Sequence, residues 1–152
     1  MQITEHFSIE DCEHSDYAIE HHIENHIPQN LMANGVRLCI FMETVRTFLS
    51  DYYGYEVMIC PSSIYRCPQL NDAVKGKATS QHMRFEAMDW HPVSKTLKIP
   101  MDIYKVFKLI KNSKLFYDQL ILEHDNSGNV WIHTSVPDPG IAARREALIL
   151  AK

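Results

Sequence analysis

Two histidines and one aspartate, far apart in a chain of 152 residues, are of the types that make a catalytic metal site. His82 and Asp89 stand seven positions apart in Ser80-Gln-His82-Met-Arg-Phe-Glu-Ala-Met-Asp89, and His133 follows much later in Trp131-Ile-His133. Two imidazoles and a carboxylate are a common donor set for catalytic zinc, with the fourth position left to water. A histidine set in a strand beside Trp and Ile otherwise needs a buried partner for its ring nitrogens. By spacing alone, a structurally satisfied histidine remains the commoner case.

The other histidines of the nine carry less. His22-Ile-Glu-Asn-His26 puts two at i, i+4, but its glutamate stands two places after the first histidine, where the H-E-x-x-H motif has it one place after. Pro28 also follows too closely for a long supporting helix. These two, with His6, His14, His21 and His91, read as solvated surface.

The candidate ligands need elements to hold them. Ser8 before Ile-Glu-Asp predicts a short helix, and Ser15-Asp16 a second. Pro28 opens the strongest helix, with Leu31, Leu38, Met42, Val45 and Leu49 on one stripe and Gly54 at the stop. Strands are expected at Tyr55–Cys60, closed by Pro61, and at Phe85–Trp90, which carries Asp89. A short helix from Pro68 to Val74 lies between them, and another runs from Asp102 to about Asn112. Strands at Asp118–Glu123 and Val130–Ser135 flank Asp125-Asn-Ser-Gly128, a hairpin by turn chemistry, and place His133 mid-strand. Ile141–Leu150 permits a helix or a last strand. Helices come first and mainly antiparallel strands follow, so the fold class is α+β, with N-terminal helices on a small sheet.

Composition bounds the function classes. At 17.7 kDa one domain, 1–152, is expected, long enough to fold without a metal or disulfide. A net charge of -4 provides no global basic field for nucleic acid or anionic lipid, so no nucleic-acid partner is expected. No membrane span and no signal peptide are visible. Cys12, Cys39, Cys60 and Cys67 form no C-x-x-C pair and read as free thiols, although Cys60 and Cys67 are close enough in sequence for a bridge.

Ile64-Tyr-Arg-Cys-Pro68, Leu70-Asn71, Val74-Lys-Gly76, Ser80-Gln-His82, Glu86-Ala87, Asp89, Asp118-Gln-Leu-Ile, Glu123 and Trp131-Ile-His133 occur in that order. Together they resemble the zinc D-alanyl-D-alanine carboxypeptidase family, especially its compact phage and prophage branch. That family shares its fold with the hedgehog signalling domain and includes L-alanyl-D-glutamate endopeptidases. The opening Glu5-His-Phe-Ser-Ile-Glu-Asp, with Ser15 and Ala18, is similar to the branch's first segment, so the resemblance covers nearly the whole chain.

The resemblance implies one catalytic Zn2+ on His82, Asp89 and His133. It implies Arg66 facing a substrate carbonyl or carboxylate and Ser80 near the metal and substrate. Some members carry an acid three positions before the last histidine, where this chain has Val130; the compact branch has instead a glutamate matching Glu123. Glu123 is therefore the expected general base, provided the hairpin register turns it toward the metal, and His124 is the competing choice.

Two positions depart from the pattern. Glycines of the family stand where this chain has Ile64 and Phe85, and neither residue suits a left-handed backbone. The expectation is a zinc peptidase on the stem peptides of bacterial peptidoglycan, carboxypeptidase or endopeptidase in type. It would be made in the cytoplasm and reach the wall after lysis or as a phage product. The alternative, motivated by Phe85 and Val130, is a non-hydrolytic zinc-containing binding or virion module of the same fold. Oligomeric state is left open.

Overall fold

Helix formation begins where the sequence caps it. In the computed structural model, which describes residues 1–151, Ser8 and Asp11 form a reciprocal capping box at the start of α1 (Ile9–Glu13). Ser15 caps α2 (Asp16–Glu20). A 3-10 turn, Gln29–Leu31, follows Pro28 and leads into α3 (Met32–Tyr53), which Gly54 ends in the left-handed conformation with φ 71°. Its stripe of Leu38, Met42, Val45 and Leu49 is buried, while Leu31 packs from the 3-10 turn. No helix spans His22–His26: α2 stops at Glu20 and His22 itself is left-handed, φ 54°.

The strand β1 (Val57–Ser63) continues through Pro61, where the sequence predicts its end. It is an edge strand, and an edge tolerates a residue with no N–H; the ladder is irregular just after, between Pro61 and Ser63. Next come α4 (Pro68–Ala73), a 3-10 turn at Gln81–Arg84, and β2 (Ala87–Ser94). The last starts after the expected Phe85 because Phe85 closes the 3-10 turn, and it runs past the expected end at Trp90 to Ser94, where it still pairs with β1. The remaining elements are α5 (Ile103–Lys111), β3 (Gln119–His124), β4 (Val130–Ser135) and β5 (Glu146–Ala151). Asp125 organises the β3–β4 turn by accepting from the N–H groups of Ser127 and Asn129, and Gly128 takes φ 86°.

The sheet order is β1-β2-β4-β3-β5. Its first three pairings are antiparallel and β5 joins β3 in parallel, so the fold is α+β and the C-terminal segment is a strand. One face presents Met88, Trp90, Leu120, Leu122 and Ile132 to the stripe of α3 and to Val106 and Ile110 of α5. Trp90 Nε1 donates to Thr134 Oγ1 at 3.0 Å inside this core. All four cysteines are free thiols. Among the described residues, no helix is long and apolar enough to cross a membrane.

Candidate metal centre

Strand pairing lines up one row of residues across the sheet. Ser63, Asp89, His133, Ile121 and Leu148 are successive partners on β1, β2, β4, β3 and β5. Directly paired residues point to the same face, and alternation puts this row opposite Trp90 and Ile132. The candidate site therefore lies on the face of the sheet away from the α3 core.

His82 reaches that face from the 3-10 turn before β2. Its Nε2 is 3.3 Å from His133 Nδ1 and 3.3 Å from Asp89 Oδ1, and His133 Nδ1 is 2.9 Å from the same Asp89 oxygen. All three residues are buried, and they form the one group of metal-ligating side chains found among the described residues. Zinc bonds of 2.0–2.1 Å at tetrahedral angles separate neighbouring donor atoms by about 3.3 Å. Two of the three separations match this value and the third, at 2.9 Å, is shorter, so the triangle is of a size to hold such an ion.

The protonation of the triangle follows from its partners. His82 Nδ1 lies 2.7 Å from the carbonyl oxygen of Ile64, which can only accept, so Nδ1 carries the proton and Nε2 presents a lone pair to the site. A ring held by its far nitrogen is the usual second support of a histidine ligand. Burial lowers the His82 pKa, against the opposing pull of Asp89. Burial also pushes the Asp89 carboxyl up, but His82 and His133 outweigh it and hold Asp89 well below the usual carboxylate range. The site therefore offers the neutral imidazole and the ionised carboxylate that a metal requires.

Arg66 supports the other side of Asp89. Its Nη2 donates to Asp89 Oδ2 at 2.6 Å and its Nε donates to Ser63 Oγ at 2.9 Å. Oδ1 thus faces the histidines while Oδ2 is committed to the guanidinium. Ser80 is a local cap: its Oγ accepts from the His82 N–H at 3.3 Å, which starts the 3-10 turn.

The two departures from glycine resolve differently. Phe85 adopts φ 58° and ψ 42°, the left-handed geometry that glycine would favour, at the end of the turn that carries His82. Ile64 is not left-handed; it is buried, and its carbonyl is the partner of His82.

Glu123 pairs with Trp131, two residues before His133, so it shares the face of Asp89 and His133 as a diagonal neighbour of His133. It is 4% exposed. His124 pairs with Val130 and alternation turns both to the opposite face. The structure thus brings together His82, Asp89, His133, Arg66 and Glu123, and leaves His124 outside the group.

Three supporting residues had no assigned role in the sequence. Gln81, Asp118 and Arg144 are linked by hydrogen bonds across 63 positions of chain. No local spacing marks such a cluster; only Asp118 opening a strand and Gln81 preceding a candidate ligand hint at it.

A family model described as Peptidase M15 matches residues 6–134, a span that includes every side chain of the group. No curated protein gives a significant match to the chain.

Proposed function

Because the chain belongs to the peptidase M15 family, we propose that this zinc metallopeptidase hydrolyses peptide bonds in the stem peptides of bacterial peptidoglycan. The observation that carries the reading is the closed triangle of His82 Nε2, Asp89 Oδ1 and His133 Nδ1, with Glu123 on the same sheet face. Those three atoms would hold the zinc. When bound, the ion supplies a Lewis acid for the scissile carbonyl and lowers the pKa of water toward neutrality.

The protein's own groups do the rest. Glu123 accepts the proton of the attacking water and delivers it to the leaving amine. Arg66 keeps Asp89 in one orientation, and its fixed charge beside the carboxylate favours negative charge developing on the substrate oxygen. Ser80 orders the turn that bears His82. The whole of 1–152 acts as one zinc peptidase-like domain, and the product reaches the wall after host lysis or as a phage component.

The test is digestion of purified sacculi with mass spectrometry of the released muropeptides. Wild-type protein should release cleaved stem peptides, and the fragments identify carboxypeptidase or endopeptidase cleavage. His82→Ala and His133→Ala should lose both bound zinc and cleavage. Cleavage retained in either variant overturns the ligand assignment. Intact stem peptides with zinc-loaded wild-type protein overturn the substrate assignment.

A further inference from the structure

Beyond residues 6–134, which match the family, the chain passes the end of β4 and returns as β5. One arginine of this segment reaches back into the support of the site. Arg144 Nε donates to both oxygens of Asp118 at 3.1 and 3.0 Å, and its backbone N–H donates to Oδ1 at 3.0 Å. Its Nη2 donates to Asp118 Oδ2 and, at 3.3 Å, to Gln81 Oε1. Asp118 is 3% exposed, so this is a buried carboxylate that a residue outside the matched span neutralises.

The network ends one residue from His82. Gln81 Nε2 donates to Asp118 Oδ2 at 3.1 Å and to the Val136 carbonyl at 3.0 Å. With its amide oxygen also engaged, Gln81 has one orientation, and it opens the 3-10 turn whose next residue is His82. The same segment secures β3. Glu146 N–H donates to Asp118 O, Gln119 Nε2 donates to Glu146 Oε2 at 2.7 Å, and β5 then pairs along β3 from Gln119 to His124.

We propose that Arg144 is a positioning residue of the metal site. By clamping Gln81 to Asp118 it fixes the turn that aims the His82 ring, a role that rests on His82 being a ligand as argued above. It touches no reacting group. A planar fork reaches Asp118 and Gln81 together, whereas a lysine ammonium supplies charge without that double geometry.

The test uses the full chain, first without metal and then in a zinc titration. The His82 Nδ1–H donated to Ile64 is buried, so it should give a slowly exchanging, downfield ring-proton resonance, assigned by its loss in His82→Ala. Arg144→Gln and Arg144→Lys are compared with Val45→Ala, a core variant far from the network. Arg144→Lys keeps a cation beside Asp118, which keeps the comparison available if Arg144→Gln does not fold. In the folded Arg144 variants the resonance should broaden away, and zinc Kd from chelator competition should rise about tenfold, the low end for a lost outer support. Val45→Ala should lower Tm yet keep both. Wild-type resonance and zinc affinity in Arg144→Lys overturn the proposal. Hydrolysis is not read, so failure of the peptidase assignment would leave this result intact.

Discussion

The ring of Phe85 occupies the space that a side chain at position 35 would need: a Cβ built on Gly35, in the first turn of α3, would overlap it. Phe85 is wholly buried and makes an edge contact with Tyr65, ring centroids 6.1 Å apart. A glycine inside a helix costs about 1 kcal/mol relative to alanine, and a left-handed phenylalanine about 1–3 kcal/mol more. The first cost falls on α3 and the second on the turn that carries His82, and burying the ring offsets about 1.5–3 kcal/mol of them.

Gly35 and Phe85 should therefore behave as a coupled pair. Gly35→Ala alone should destabilise by about 1–3 kcal/mol through overpacking, despite its better helix propensity. Phe85→Gly relieves the backbone but leaves a cavity, for a net loss of about 2–4 kcal/mol. The double variant should lose less than the sum by at least about 0.5 kcal/mol. Urea unfolding of the four proteins checks it; simple additivity would show that the two positions do not share the space.

How much of this was legible in the sequence follows from which forces are local. Caps, turn residues and apolar periodicity are short-range, so α1, α3, α5 and the β3–β4 turn lie close to where Ser8, Gly54, Asp102 and Asp125 place them. Residue type and resemblance single out His82, Asp89 and His133, but strand register brings only Asp89 and His133 to one face, and the 3-10 turn brings His82 to them. The end of β1 and both ends of β2 differ from the sequence expectation: Pro61 lies on an edge, Phe85 accepts a glycine conformation, and β2 keeps pairing with β1 through Pro92 to Ser94. The Gln81–Asp118–Arg144 network leaves no periodic trace, since its members meet only through tertiary packing.

Glu123→Gln should separate proton transfer from metal binding. The amide keeps the shape and the sheet position but cannot accept a proton, so kcat should fall by about 10²–10⁴. Zinc content should stay at one ion per chain. His124→Gln, on the opposite face, should change kcat by less than about threefold if general-base work, worth 10²-fold or more, lies elsewhere. Turnover of muropeptides and metal analysis on the same samples check both.

Chelation should silence the enzyme without unfolding it. The core between α3, α5 and the sheet lies on the face away from His82, Asp89 and His133, so it packs without the ion. Far-UV circular dichroism should persist in chelator while cleavage stops, and added zinc should restore cleavage. Saturation at 1,000 times Kd should add about 4 kcal/mol of stability. Loss of helical signal on chelation alone would show that the metal is structural.

Asp118 predicts a stability loss in acid. Burial pushes its carboxyl up, but hydrogen bonds from the side chain and backbone of Arg144 outweigh that and hold it below the ordinary aspartate value. A folded pKa below the unfolded one stabilises above about pH 4 and is lost as pH falls through the folded value. Asp118→Asn should therefore be less stable than wild type at pH 7, with the gap narrowing below about pH 4. Urea unfolding across that range reads the sign; a gap independent of pH would be wrong for an ionised Asp118.

Arg66 and the metal should compensate for each other at Asp89. The Asp89 carboxylate is buried and ionised, with Oδ2 on Arg66 and Oδ1 facing the two histidines. Arg66→Ala removes the one permanent cation among the described residues that touches it, and an uncompensated buried charge typically costs about 3–5 kcal/mol. That cost should appear in full in the presence of chelator. A bound dication supplies a second and stronger partner for the same carboxylate, so the penalty should shrink in saturating zinc. By the same linkage, the zinc affinity of Arg66→Ala measured from unfolding should not fall even where kcat does. Arg66→Lys should lie between, since it retains charge but not the joint grip on Asp89 and Ser63. Paired thermal melts with chelator and with zinc decide it: a penalty equal in both conditions would mean that Arg66 acts on Asp89 without sharing the carboxylate with the metal.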